Sequence, residues 1–163
     1  MDQLVSTIFS HIKDNETPWR SDGLRDFFLY RDLGVAAATG GAVLAQLVKA
    51  NKPPEHGTGW HRHEANFHIV LMTKGWARFM YEGQETLVKA GDCVHQRPGI
   101  VHYLFDYSPD MEYLEVVSPA DFKTVEMPAV CKVPKPTPWK KKATAAKAKA
   151  KVTTKVKAKA KKK

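Results

Sequence analysis

Cysteine is scarce in this chain: Cys93 and Cys131 are the whole complement among 163 residues. Two thiols do not make a disulfide scaffold, and they fit a reducing cytoplasm. No apolar run approaches the ~20 residues that span a bilayer, so no membrane partner is expected. The opening stretch, MDQLVSTIFSHIKDNE, lacks a basic start, a long apolar run and a small-residue cleavage site, and does not read as a secretory leader. The expectation is a cytoplasmic protein, of bacterial origin. Acid is missing from one region altogether: residues Lys132 to Lys163 hold fourteen lysines and no Asp or Glu. Taking those fourteen from the formal charge of +9 leaves −5 for residues 1–131. A mildly acidic globule and a strongly basic appendage therefore share one chain, and each needs its own explanation.

Residues Leu4, Val5, Ile8, Phe9 and Ile12 recur at helical spacing, which predicts a short amphipathic N-terminal helix ended by Pro18. From Asp26 to Pro119 the pattern changes to short apolar runs separated by turn residues. Strands are predicted over 27–30, 42–48, 67–73, 76–81, 86–89, 93–96, 101–105 and 112–117. Between them stand Gly40-Gly41, Lys74-Gly75, Glu82-Gly83, Gly91-Asp92, Pro98-Gly99 and Pro109-Asp110, residues suited to tight turns. Evenly spaced short strands without intervening helices indicate an all-β sandwich or barrel. The predicted organisation is an N-terminal arm over 1–19, a barrel over 20–125, a Pro-containing linker over 126–139 and a Lys/Ala-rich tail over 140–163. The tail offers no apolar face, and its lysines would repel one another on a helix, so disorder is predicted there.

Histidine is unevenly placed. Five of the seven, His61, His63, His68, His95 and His102, fall between residues 61 and 102. One residue separates His61 from His63, which puts both imidazoles on one face of a strand. A divalent metal needs at least one more ligand from elsewhere, for which His68 and His102 are candidates. Neutral imidazole suits iron, nickel, copper and zinc alike, so ligand type does not select the ion. His95 is expected elsewhere on its strand, as a surface or hydrogen-bonded residue. Cys93 is expected to be a small core residue, and Trp60 and Trp76 to fill the core or the cavity mouth.

Two segments carry a family resemblance. The first reads Gly59-Trp60-His61-Arg62-His63, continues through Glu64 to His68, and reaches Gly75. The second runs from Gly91-Asp92 to Arg97-Pro98-Gly99-Ile100-Val101-His102. Together, and in this order, they resemble the two motifs of the small single-domain cupins. The resemblance implies a double-stranded β-helix, or jelly-roll barrel, with His61, His63 and His102 as metal ligands facing its interior. His68 stands where the family has a glutamate. It is open to act as a fourth ligand, or as a nearby acid/base or structural residue. Glu64, next to His63, points the other way on a strand and ranks below His68.

A three-histidine site leaves positions open for a substrate or water. The resemblance implies a metal-dependent enzyme, dioxygenase- or isomerase-like, acting on a small organic molecule with one divalent transition metal (Fe, Ni, Mn, Zn or Cu). The alternative is a non-enzymatic small-molecule-binding or regulatory barrel tethered to nucleic acid by its basic tail. Arg78, Tyr103 and Glu115 are further candidates for orienting an anionic substrate. A homodimer is expected from the same resemblance. Residues 140–163 are also similar in composition to the tails of linker-histone-like bacterial proteins, which implies non-specific nucleic-acid contact and a nucleoid association. With no interleaved aromatics beyond Trp139, stacking on bases is not expected.

Overall fold

The computed structural model describes residues 7–139. The predicted tail at 140–163, and Leu4 and Val5 of the predicted N-terminal helix, lie outside the described residues. Ten strands make up the fold: β1 (Phe28–Asp32), β2 (Leu44–Ala50), β3 (His61–Glu64), β4 (Phe67–Lys74), β5 (Trp76–Tyr81), β6 (Gln84–Lys89), β7 (Cys93–Gln96), β8 (His102–Tyr107), β9 (Glu112–Ser118) and β10 (Lys123–Glu126). They form two five-stranded antiparallel sheets, in the orders β1-β2-β9-β4-β7 and β10-β3-β8-β5-β6. The two sheets face each other as a jelly-roll barrel, the all-β architecture expected from the sequence. No helix among the described residues is long and apolar enough to cross a membrane.

Alternation along the strands fills the interior. On β9, Tyr113, Glu115 and Val117 are buried and their neighbours less so; on β4 the buried set is His68, Val70 and Met72. Of these, Tyr113, Val70 and Met72 meet Phe28, Val48, Phe79, Leu104 and Tyr107 in the principal apolar core, as period-two packing requires. The β5–β6 hairpin turns on Glu82 and Gly83, both at positive φ (50° and 89°). A two-residue turn of the primed kind needs that geometry, and glycine adopts it without a Cβ clash.

Two parts differ from the sequence expectation. The short helix near the N-terminus, α1, covers Val35–Ala38, whereas the described part of the segment predicted to be helical, from residue 7, has no regular secondary structure. Short isolated helices are marginal, and here the arm spends its polar groups on the barrel instead. The Ile8 N–H donates to the Ala38 carbonyl at 2.9 Å. Buried Arg31 donates to Asp14 Oδ1 at 2.7 Å and to the Lys13 carbonyl at 3.0 Å. The second difference is in the strands: neither β3 nor β10 is among those predicted from the apolar runs, and the two pair with each other from Lys123↔Glu64 to Glu126↔His61.

Residues 127–139, after β10, have no regular secondary structure, yet they lie against the barrel. Met127, Cys131 and Val133 cover Trp60, Met80 and Phe105 on the outer face of the second sheet. Thr137 donates through its N–H and hydroxyl to the two oxygens of buried Asp106, at 3.0 and 2.8 Å. Trp139 Nε1 donates to the Tyr107 carbonyl at 3.0 Å. The predicted linker is thus a docked strap.

Candidate metal centre and cavity

The barrel encloses a cavity of about 420 Å³, within the range of small-molecule sites. Phe28, Val70, Phe79, Leu104 and Phe122 supply apolar wall, and the polar lining includes all four of the histidines singled out as candidate ligands. Those four are buried, each less than a tenth exposed.

His61 and His102 are directly opposed across β3 and β8, and His63 follows two residues on, on the same face. One nitrogen from each of the three lies within 4.8 Å of the others. Their remaining nitrogens are occupied. His61 Nδ1 donates to the Gly59 carbonyl at 2.9 Å and His102 Nδ1 to the Ile100 carbonyl at 3.0 Å. His63 Nδ1 meets the Thr124 hydroxyl at 3.0 Å, supplied by β10. An Nδ1–H held by a carbonyl leaves the Nε2 lone pair free for a metal and fixes the ring orientation. Burial, assisted by the neighbouring imidazoles, pushes the His63 pKa down to about 2. Burial likewise pushes His102 down to about 3 and lowers His61, against a backbone hydrogen bond that works the other way in each. The rings are therefore neutral at ordinary pH, the form that binds metal. Three buried, neutral, oriented imidazoles fit a divalent transition metal.

His68 lies beside this group and not in it. Its ring centre is 5.1 Å from that of His63, and its Nε2 is 2.9 Å from Glu115 Oε1. The other Glu115 oxygen accepts from Gln46 Nε2 at 2.6 Å. Burial raises the Glu115 pKa, but the hydrogen bond and charge of His68 and the Gln46 amide outweigh it, and the carboxyl is held below its usual value. An ionised Glu115 makes His68 Nε2 the donor. Nδ1 is then the free position, buried and without a partner among the described residues.

The other candidates are dispersed. Glu64 is exposed and its nearest charge is Arg62 at 3.5 Å. His95 is exposed. Cys93 is also exposed, not a core residue, because on β7 it is Val94 and Gln96 that turn inward. Arg78 pairs with Glu85 at 3.5 Å and lies over Trp76; Tyr103 packs on Trp60 and its hydroxyl donates to the His56 carbonyl. Neither Arg78 nor Tyr103 lines the cavity, whereas Glu115 does. Sequence reasoning missed Arg25, Gln46, Gln96 and Thr124. Polar residues at inward positions of strands that are otherwise apolar were the available signal for the two glutamines.

The comparisons agree with this architecture. Residues 43–112 match the family model of the AraC-like ligand binding domain. Among solved structures, the chain is similar to an RmlC-like cupin protein from Ralstonia eutropha, with 19% identity and a TM-score of 0.55, covering 70% of this chain and 71% of that one. The fold is that of the cupin jelly rolls. KdgF from a Halomonas species is similar at 20% identity and a TM-score of 0.57, covering 69% of this chain and 94% of its own. The polyketide cyclase RemF from Streptomyces resistomycificus is similar at 13% identity and a TM-score of 0.59, with coverages of 75% and 87%. No curated protein matches the sequence.

Proposed function

We propose that this cupin barrel is a metal-dependent enzyme that moves a proton on a small organic molecule, isomerase-like in its chemistry. His61, His63 and His102 would hold one divalent transition metal, and His68 would act beside it as general acid/base. The observation that carries this reading is His68 itself: Nε2 is locked to Glu115 while Nδ1, buried and unpartnered, belongs to a cavity-lining ring. When bound, the metal would polarise a substrate oxygen. His68 Nδ1 would take the neighbouring proton, with Glu115 fixing the tautomer and stabilising the cation that results. We place His68 off the metal because its nitrogens are not in the group that lies within 4.8 Å. A dioxygenase-like reaction would use the same triad but would leave the His68–Glu115 pair without a task.

The test has two parts. Elemental analysis of untagged protein should find close to one transition metal per chain, lost when His61, His63 and His102 are replaced by Ala. Metal-loaded protein is then incubated in D₂O with a panel of 2-hydroxy and 2-oxo acids and sugars, and deuterium uptake at carbon is read by NMR. Uptake that vanishes in His68→Asn, with metal retained, supports the enzyme. A wild-type protein that takes up no metal removes it.

A second reading is favoured by the match to an AraC-like ligand binding domain together with the lysine run. In it the barrel binds a small molecule without turnover, as a cytoplasmic bacterial homodimer tethered to nucleic acid through residues 140–163. Tight binding with no deuterium exchange would select it.

A further inference from the structure

Four buried side-chain polar atoms among the described residues have no hydrogen-bond partner: Arg25 Nε, His68 Nδ1, Gln96 Oε1 and Arg78 Nε. Three of the four belong to residues that line the one cavity, the exception being Arg78. Buried polar groups without partners are costly, so their gathering in one place marks where a ligand supplies what the protein does not. His68 has a role above. Arg25 and Gln96 do not, and together they describe the ligand.

Arg25 precedes β1, in a loop that is firmly placed. Its backbone N–H donates to the Tyr30 hydroxyl at 3.0 Å. Gly23 lies so close to the Tyr30 ring that an added Cβ would sit 2.3 Å from it. The guanidinium is mostly buried, and a single ion pair engages it: Nη2 reaches Glu126 Oε1 at 3.2 Å. Glu126 is two-thirds exposed, and ion pairs of that kind are weak. Nε and Nη2 form one edge of the guanidinium fork, the edge that grips a carboxylate with two parallel hydrogen bonds. In this structure Glu126 occupies half of that edge and Nε is left over.

Gln96 faces His68 directly across β4 and β7. Its amide nitrogen donates to the Tyr81 hydroxyl at 3.0 Å, which fixes the amide and leaves Oε1 as a bare acceptor. The chemistry that completes Gln96 is an O–H or N–H donor.

We propose that the cavity takes a small organic carboxylate with an apolar body and a hydroxyl group, its carboxylate seated on the Nε–Nη2 edge of Arg25 in place of Glu126 and its hydroxyl donating to Gln96 Oε1. This names the substrate class for the site proposed above and rests on that reading of the cavity. Glu126 acts as an internal placeholder, which the ligand's carboxylate displaces.

The experiment compares glycolate, lactate and mandelate with their amides by calorimetric titration of metal-loaded full-length protein. Metal content is measured on every sample. At least one acid should bind 10–100-fold more tightly than its amide, the range expected from a charge-assisted pair. Arg25→Gln should abolish that preference with metal content unchanged, and Arg25→Lys should restore only part of it. Glu126→Gln should tighten acid binding several-fold and leave the amide unaffected. Equal binding of acid and amide throughout the panel, or a preference that survives Arg25→Gln, overturns the proposal. A protein empty of metal would defeat the enzyme reading instead, and the acid–amide comparison on that protein still decides the role of Arg25.

Discussion

The two nitrogens of His68 stand in different surroundings, one against a carboxylate and the other buried without a partner, and that asymmetry defines what can be expected of single residues. Replacing His68 by Asn keeps a polar side chain but removes a basic nitrogen. Turnover should fall about 10²–10⁴-fold, the usual contribution of a general base, while metal content stays the same. The three triad rings predict a pH dependence of the apoprotein. Their folded pKa values lie below the ordinary 6.5, at about 2 for His63 and about 3 for His102. The unfolded chain therefore binds more protons than the folded one as pH drops below 6.5. Their contribution is whole above that value and is lost as pH falls through it towards about 3 and then 2. Urea unfolding of metal-free protein should give a midpoint that declines from pH 7 to pH 4, with a shallower decline in the triple His61/His63/His102→Ala variant.

Among the elements, β10 and the strap that follows it show how the candidate metal centre depends on chain far from its histidines in sequence. Thr124 reaches His63 because β10 pairs with β3, and the strap continues to Thr137 on Asp106. Replacing Asp106 by Ala strips partners from the Thr137 N–H and hydroxyl. That change should cost about 1–3 kcal/mol, seen as a lower unfolding midpoint, and should open residues 127–139 to limited proteolysis before the barrel is cut. Strand existence was legible along the chain because period-two alternation and turn residues are local signals. β10 was not, since Lys123-Thr124-Val125-Glu126 carries little apolar content and forms only by pairing with an edge. The N-terminal arm illustrates the converse: its helical spacing was real, but backbone and side-chain bonds to α1 and β1 decided its conformation.

For the whole molecule, a metal that binds only the folded barrel adds stability by mass action, about 2.7 kcal/mol at a hundredfold excess over its dissociation constant. The melting temperature should rise by several degrees on adding the metal that the protein retains, and fall back with chelator. Removing residues 140–163 should leave that melting temperature unchanged, and should abolish retention of the protein on DNA in low salt. If the lysines contact phosphates, retention by the full chain should drop steeply between 50 and 200 mM salt, because bound lysines release counterions. Retention that survives the deletion would move the interaction to the barrel.

Sequence by itself determined the all-β class, the division of charge between globule and tail, and the set of histidines from which the candidate centre is drawn. Those follow from local spacing: alternate residues share a face, and His61 and His63 do so whatever the fold around them. Only the tertiary structure decided which histidines converge. His102 opposes His61 through the register of β8 on β3, while Gln46 opposes Glu115 across β2 and β9 and Gln96 opposes His68 across β7 and β4. Register between strands distant in sequence is set by packing both sheets at once, and no local pattern encodes it. For the same reason Arg25, in a loop with no motif of its own, became a candidate only once folding had brought it to the cavity and buried its Nε without a partner.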